Sequence, residues 1–198
     1  MHKLQIRNQI IGGLALLTIG AILLVPVFTQ IMEKRDEKKV DLPKLLSPRV
    51  VVRKKKRVLE LYDGDKLIKT YTVVLGFAPE GDKQKEGDGK TPEGEFYIFT
   101  KNAESRFHLS LGLSYPSIDD AKRGLATGAI AKADHDEIVE SIGKKIMPPQ
   151  KTALGGEIYI HGGGVDNDWT WGCTAMKNED IEELFAVLPI GTAVTIYP

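Results

Sequence analysis

Cysteine is almost absent from this sequence, which contains Cys173 and no other cysteine among its 198 residues. A single thiol excludes a disulfide within the chain, so the fold must be held by other interactions. A lone cysteine is most often a small, inert core residue. The residues around Cys173 therefore have to decide whether it is structural or reactive.

Net charge is also absent, because 27 Lys and Arg residues are balanced by 27 Asp and Glu residues. Nucleic-acid-binding domains usually carry a basic excess, so the composition predicts no nucleic-acid partner. The sequence has no internal repeat and no low-complexity tract, and a hydrophobic fraction of 42% is enough for a packed core. These features predict a globular domain of ordinary size with a small additional segment.

Charged residues are missing from one long run near the N-terminus, Ile10 to Phe28. At about 1.5 Å per helical residue, this run approaches the roughly 30 Å thickness of a bilayer core. Lys3 and Arg7 precede the run as in an export signal, and no small-x-small cleavage site follows it. We therefore predict an uncleaved, single-pass anchor in the inner membrane over residues 1–31.

The segment that follows the anchor, residues 32–48, is charged and contains prolines, which predicts a short linker. Its basic residues, taken alone, would place the C-terminal side in the cytoplasm under the positive-inside rule. A catalytic domain is predicted over residues 49–198. The location of its substrate, rather than this charge count, decides on which side of the membrane we expect it.

β-branched and alternating patterns dominate residues 49–198 and predict an α+β, mainly β domain. The predicted strands are 50–52, 57–62, 67–75, 95–100, 156–161 and 191–197. The predicted helices are 118–125, 134–145 and 178–188, and Asn178 is the expected N-cap of the last helix. The strands do not alternate regularly with the helices, which argues against a doubly wound parallel sheet.

The segment from His161 to Met176 combines the residue types that an activated thiol needs. His161 ends a predicted strand, a glycine-rich loop follows, and Gly172 and Cys173 come shortly before the last helix. A neutral imidazole can accept the thiol proton, and a helix N-terminus lowers the pKa of a nearby thiol. A glycine before the nucleophile lets backbone amides face a developing oxyanion. The pattern predicts Cys173 as nucleophile, His161 as proton acceptor and donor, and Gly172 as the oxyanion position.

Alternative interpretations of this segment remain open. His161 and Cys173, together with Asp166 or Asp168, would supply the ligands of a metal site. The consecutive glycines 162–164 are typical of a phosphate-binding loop, although the lysine and the Ser/Thr of such loops are missing. A structural histidine and an inert cysteine are the remaining interpretation.

Ordered sequence blocks resemble the L,D-transpeptidase (YkuD-type) catalytic domain. Residues 170–173 stand at the family's Ser/Thr-x-Gly-Cys block, downstream of His161. Residues 87–96 are similar to the family's T-P-x-G-x-[FY] element, and residues 107–116 resemble its YafK-like branch. The resemblance covers roughly residues 49–198 and implies an L,D-transpeptidase-like β-sandwich with a few helices.

Several positions depart from the family pattern. Ala175 stands where many members have the arginine of a Gly-Cys-x-Arg element, and Trp171 replaces a common histidine. The spacer between His161 and Thr170 is also shorter than in many members. These departures leave the nucleophile unchanged, but they leave open how the substrate carboxylate is bound.

The resemblance implies an enzyme that acts on peptidoglycan stem peptides through a Cys173 thioester, without a cofactor or a metal. An amine acceptor would give transpeptidation. Water would give an L,D-endopeptidase or amidase, and the YafK-like branch is associated with release of a wall-linked lipoprotein. Because this substrate lies outside the cytoplasm, we expect the catalytic domain on the outer, periplasmic side of the cell membrane. The expected substrate-binding residues are Thr170, Trp171, His108, Tyr115 and Arg106.

Overall fold

In the computed structural model, residues 42–198 are described and consist of strands with a few helices. The strands are β1 (Pro48–Arg53), β2 (Val58–Asp63), β3 (Lys66–Thr72), β4 (Gly94–Ser105), β5 (His108–Leu113), β6 (Tyr159–His161), β7 (Thr174–Ala175) and β8 (Ala193–Tyr197). The helices are α1 (Ile118–Ala126), α2 (Lys132–Gly143) and α3 (Asn178–Val187). The mainly β character with few helices that the sequence predicts is therefore confirmed.

The strands form one eight-stranded sheet in the order β3-β2-β1-β8-β4-β5-β6-β7. Strand β4 belongs to two halves of this sheet, since residues 94–97 pair with β8 and residues 98–105 pair with β5. Beyond β3, Val74 forms an antiparallel bridge to Ala175 of β7. This bridge joins the two ends of the sheet, so that the sheet closes around its own core.

The main core contains side chains from both halves of the sheet, which therefore pack against each other. In β2, Leu59 and Leu61 are fully buried on alternate positions, as the two-residue period of a strand requires. Leu111 of β5 and Ile160 of β6 face the same cluster from the other half. Burial of each such side chain stabilises the fold by about 1.5–3 kcal/mol. Since Ile160 belongs to this core, β6 is held firmly in the sheet.

Helices α1 and α3 begin at the predicted residues, Ile118 and Asn178, but the N-cap residue of α3 differs from the predicted one. At α1, Ser117 Oγ accepts from Asp120 N at 3.2 Å, and Asp120 Oδ2 accepts from Ser117 N at 2.9 Å. At α3, Lys177 occupies the N-cap position without a side-chain hydrogen bond. The N-cap prediction for Asn178 is wrong, because its Oδ1 instead accepts from Gly163 N at 2.9 Å.

Residues 42–47 pack on the domain, although the sequence places them in the linker. Leu42 and Leu45 are partly buried against the main core. Within residues 42–198, no helix is both long enough and apolar enough to cross a membrane. The anchor predicted over residues 1–31 lies outside the described residues.

Candidate active site

The two predicted catalytic residues lie at the ends of the adjacent parallel strands β6 and β7. His161 is the last residue of β6 and pairs with Ala175, while Cys173 directly precedes β7. Across this pairing, Tyr159 N lies 3.4 Å from Cys173 Sγ. The strand register therefore brings together residues that a long loop separates in the sequence.

One cleft of about 1190 Å³ contains both side chains. Its lining also includes Lys83, Arg106, Phe107, Glu157, Trp169, Thr170 and Trp171. Another cavity of about 560 Å³, beside β4 and Met147, contains neither Cys173 nor His161. The larger cleft is therefore the candidate active site.

Cys173 is half-buried, and its Sγ contacts the main chain before β6. The thiol donates to Glu157 O at 3.4 Å and accepts from Tyr159 N at 3.4 Å. Burial raises the pKa of the thiol to about 11, and Tyr159 N–H and the charge of Lys83 only partly offset this effect. The prediction of a lowered thiol pKa is therefore wrong, and the thiol is protonated at neutral pH.

His161 is 2% exposed, and its Nδ1 lies 2.6 Å from Gly162 O. Because a carbonyl oxygen can only accept, the neutral ring carries its proton on Nδ1 and its lone pair on Nε2. Burial lowers the pKa of His161 from its ordinary value of 6.5, although the hydrogen bond to Gly162 acts in the opposite direction. The imidazole is therefore uncharged at neutral pH and can accept a proton through Nε2.

Two aromatic rings that the sequence interpretation did not select enclose this imidazole. Phe107, at the turn between β4 and β5, stacks on His161 with ring centroids 4.7 Å apart and planes inclined by 22°. Trp169 approaches the imidazole at 5.5 Å and 61°, and its centroid lies 5.4 Å from that of Phe107. Phe107 is remote from His161 in the sequence, so no local motif indicated this contact.

Gly172 shapes the turn in front of the nucleophile. Its φ of +133° is a conformation that favours glycine, and a Cβ at this position would lie 2.7 Å from Lys90 O. The Gly172 N–H donates to Thr170 Oγ1 at 3.2 Å, and Thr170 Oγ1–H donates to Cys173 O at 2.7 Å. Thr170 therefore fixes the turn internally, and the Gly172 N–H is already engaged.

Thr91, within the block at residues 87–96, supports the same turn from the opposite side. Its Oγ1 accepts from Gly76 N at 2.9 Å and lies 3.4 Å from Cys173 O. A Cβ on Gly76 would lie 2.1 Å from Gly89 O, so these loops pack main chain against main chain. The block therefore positions the nucleophile loop through Thr91 and Gly89.

Asp168 anchors the glycine-rich loop to the body of the domain. Arg57 Nε donates to both carboxylate oxygens at 3.1 Å, and Leu75 N donates to Oδ1 at 2.8 Å. Asp168, one of the two carboxylates that the sequence offers for a metal site, is therefore occupied by Arg57. Within residues 42–198, no group of three or more His, Cys, Asp or Glu side chains is arranged to hold a metal ion.

Three of the predicted substrate-binding residues line the cleft, namely Thr170, Trp171 and Arg106. Trp171 is 70% exposed and meets Phe77 edge to face with ring centroids 4.9 Å apart. The Arg106 guanidinium lies over the Phe107 ring, 4.8 Å from its centroid. These side chains therefore lie in the same cleft as Cys173 and His161, and their contact with a substrate stays a prediction.

The other two predicted substrate-binding residues do not line the cleft. Tyr115 is fully buried and its hydroxyl donates to Leu154 O at 2.8 Å, so it is a core residue. His108 Nε2 lies 2.8 Å from Glu182 Oε1, which links the β4–β5 turn to α3. The predictions of substrate contact for Tyr115 and His108 are corrected to these structural roles.

Comparisons with known sequences agree with this arrangement. The YkuD family, described as the L,D-transpeptidase catalytic domain, matches residues 47–196. YafK of Escherichia coli (strain K12), a provisionally named L,D-transpeptidase, is 28% identical over 159 residues, covering 73% of this chain and 51% of YafK. The chain therefore spans about half the length of this curated relative.

Solved structures with a similar fold include two from other bacteria. Pgp2 of Campylobacter jejuni, a helical cell shape determining protein, aligns with a TM-score of 0.51 and 23% identity over 81% of this chain and 51% of Pgp2. Bd1075 of Bdellovibrio bacteriovorus aligns with a TM-score of 0.51 and 19% identity over 80% of this chain and 52% of Bd1075. At these identities the likeness shows a shared fold.

Proposed function

Because this chain belongs to the YkuD family of L,D-transpeptidase catalytic domains, we propose that it is a cysteine-dependent acyltransferase of peptidoglycan stem peptides. Cys173 forms a thioester with the donor peptide, and an amine of a second peptide then completes an L,D-transpeptidation. The observation that carries this proposal is a thiol and a buried, neutral imidazole that line one cleft. This combination is suited to nucleophilic catalysis with a general base.

In the proposed acylation, Cys173 Sγ attacks the carbonyl carbon that follows the L-centre of the third stem residue. The thiol proton passes to His161 Nε2. The C–N bond to the terminal D-residue breaks, and the imidazolium returns the proton to the leaving amine. The Cys173 thiol donates to Glu157 O at 3.4 Å, so the proposed proton transfer requires the S–H group to turn from Glu157 O to His161 Nε2. Catalytic hydrogen bonds commonly tighten only in the substrate complex.

The proposed oxyanion donor is the Cys173 N–H, one residue beyond the predicted position. Gly172 N–H already donates to Thr170 Oγ1 at 3.2 Å. Cys173 N–H, in contrast, has no acceptor within the described part of the chain. A developing oxyanion would therefore satisfy an unpaired donor, and loss of such a donor costs about 3 kcal/mol in transition-state stabilisation.

Hydrolysis of the same thioester by water is the second candidate, which would make the chain an L,D-endopeptidase or amidase that releases a wall-linked peptide or lipoprotein. Ala175 is fully buried and pairs with Val74, so this position offers no basic side chain to an acceptor carboxylate. The resemblance to the YafK-like branch favours the same outcome. Both reactions share the acyl-enzyme and differ in the group that resolves it.

The decisive experiment is incubation of the purified full-length chain with diaminopimelate-containing muropeptides, followed by mass spectrometry. New cross-linked dimers would support transpeptidation, and loss of a linked peptide without dimers would support hydrolysis. Trapped intermediate should add the mass of the acyl group to the peptide that contains Cys173. Cys173→Ala and His161→Gln should abolish this adduct, and unchanged turnover in Cys173→Ala would refute the mechanism.

We further propose that residues 1–31 anchor the chain in the cell membrane with the catalytic domain on the periplasmic side, where the substrate lies. A reporter that works only outside the cytoplasm, fused after Pro198, is expected to be active. The same reporter fused to a chain without residues 1–31 serves as the control. If the full-length fusion is expressed equally well but its reporter is inactive, the catalytic domain lies on the cytoplasmic side and the proposed orientation is wrong.

A further inference from the structure

The tip of the β4–β5 hairpin carries an aromatic ring that the proposed reaction does not use. Phe107 stacks on His161 with ring centroids 4.7 Å apart and planes inclined by 22°. This separation lies in the range in which aromatic pairs are attractive. Trp169 meets the imidazole at 61°, so two rings limit its rotation.

The hairpin tip is held in place by contacts independent of the ring stack. Ser105 pairs with His108 across the turn, and Ser105 Oγ accepts from Phe107 N at 3.1 Å. His108 has a φ of +75°, and its ring is linked to Glu182 of α3 at 2.8 Å. The ring of Phe107 therefore presents a fixed surface to its neighbour.

The main chain of the tip also lies against the residue that follows the base. A Cβ on Gly162 would lie 2.9 Å from Phe107 O and 3.2 Å from His108 Cβ. Gly162 O is the acceptor for His161 Nδ1. The same turn therefore contacts both the imidazole and the residue whose carbonyl sets its tautomer.

We propose that Phe107 is a positioning residue for the general base, holding the His161 ring in the orientation in which Nδ1–H donates to Gly162 O and Nε2 is left to accept the thiol proton. The tautomer requirement follows from the geometry alone. The role in proton transfer rests on the proposed function. The charged and titratable groups around the stack are the Arg106 guanidinium over the face of Phe107, the His108–Glu182 pair, and the uncharged Cys173 thiol within the same cleft.

The test compares Phe107→Leu, which keeps an apolar side chain but removes the ring, with Phe107→Tyr, which keeps the ring. Full-length chains labelled with ¹⁵N-histidine would be titrated by NMR to report the tautomer and the pKa of His161. Wild type and Phe107→Tyr are expected to hold the Nδ1–H tautomer. Phe107→Leu is expected to populate both tautomers and to raise the His161 pKa, because water reaches the ring. His135, on α2, is an internal reference whose signals should not change.

The kinetic part of the test is the pH dependence of Cys173 thioester formation. In Phe107→Leu, the acidic limb of the profile should move to higher pH, with formation slowed about tenfold near pH 6. Unaltered His161 tautomer and pKa in Phe107→Leu would overturn the proposal, as would equal changes in the Leu and Tyr variants. If Cys173→Ala retains turnover, the proposed function fails, but the NMR result for Phe107 still decides this inference.

Discussion

Cys173 and His161 are both held in their uncharged forms by their surroundings. Burial raises the pKa of the thiol to about 11 and lowers that of the imidazole. The predicted influence of α3 is too weak because this helix begins at Asn178, and a helix dipole acts mainly within the first turn. In the proposed reaction, the thiol would therefore lose its proton during the attack and not in a preformed ion pair with His161.

The first residue-scale prediction concerns the reactivity of Cys173 towards iodoacetamide. Since burial raises its pKa, the thiolate is scarce at neutral pH and appears only as the pH approaches 11. The second-order alkylation rate constant should therefore rise about tenfold per pH unit between pH 7 and 10. Mass spectrometry of the peptide that contains Cys173 would measure it. An unstructured cysteine peptide, run in parallel, should level off at lower pH, and a Cys173 plateau near pH 8 would contradict the prediction.

The second residue-scale prediction is that Gly172→Ala destabilises the domain and prevents thioester formation. Both the φ of +133° and the approach of Lys90 O to within 2.7 Å of a Cβ oppose the substitution. Gly164→Ala is a matched control, because Gly164 has a φ of +102° but no atom within 4 Å of its Cβ position. Thermal unfolding should show a loss of about 1–3 kcal/mol beyond that of the control. Equal losses in the two variants would show that the contact with Lys90 is unimportant.

At the scale of elements, the loop between β6 and β7 is fastened at several points. Asn178 Oδ1 accepts from Gly163 N at 2.9 Å near its beginning, and Asp168 binds Arg57 near its middle. The Arg57 Nη2 atom lies 2.7 Å from Asp168 Oδ2. The loop is therefore a fixed wall of the cleft, and its geometry is tied to the sheet.

The element-scale prediction is that Asp168→Ala loosens this wall. The substitution removes the charge-assisted bonds to Arg57 and leaves Leu75 N without its acceptor, which should lower the free energy of unfolding by about 1–3 kcal/mol. Chemical denaturation would measure the loss, and Asp168→Asn should recover part of it, because Asn can still accept from Leu75 N. Asp166→Ala, an exposed substitution in the same loop, is the control. A loss in Asp166→Ala equal to that in Asp168→Ala would refute the anchoring role.

Sequence patterns predict the elements whose signal is local and miss those that depend on distant partners. Helix α3 follows from its apolar spacing, and β2 and β3 follow from β-branched runs around a turn at Gly64. Strand β7 is two residues long and has no pattern of its own, because its pairing comes from β6 and Val74. Strand β5 alternates weakly, since its Gly112 and Ser110 are small, and its sequence does not predict a strand.

The same difference applies to the candidate site. His161, Gly172 and Cys173 stand close together in the sequence, so the amino-acid pattern alone indicates their combination. The Asp168–Arg57 pair and the Phe107 stack join residues from different parts of the chain. Sequence spacing carries no information on such contacts, which arise only when the sheet closes.

At the scale of the whole molecule, β8 is the central strand that connects the two parts of the sheet. It pairs in parallel with β1 and antiparallel with β4. Val194 and Ile196 are each 1% exposed, so the strand is also part of the main core. The cleft that contains Cys173 and His161 therefore depends on a strand that contributes no residue to its lining.

The whole-molecule prediction is that a chain ending at residue 190 does not fold, although it keeps Cys173 and His161. Loss of β8 removes pairing partners from β1 and β4 and exposes the core. We expect the resulting loss of free energy to exceed the usual stability of a folded domain, which is about 5–15 kcal/mol. Near-ultraviolet circular dichroism and amide NMR dispersion should both be lost, while removal of Pro198 alone should leave them intact. A dispersed spectrum from the shortened chain would contradict this account.

The pairing of β1 with β8 also has a consequence for synthesis on the ribosome. Arg49 lies opposite Ala193, so the first strand of the domain has to wait for the last strand before its second edge is covered. Until then a nascent chain presents the apolar residues Val50, Val51 and Val52 on an open strand edge. Parallel pairing over such a sequence separation is slow to form. The pairing of β1 with β8 can therefore be completed only after translation has passed Tyr197.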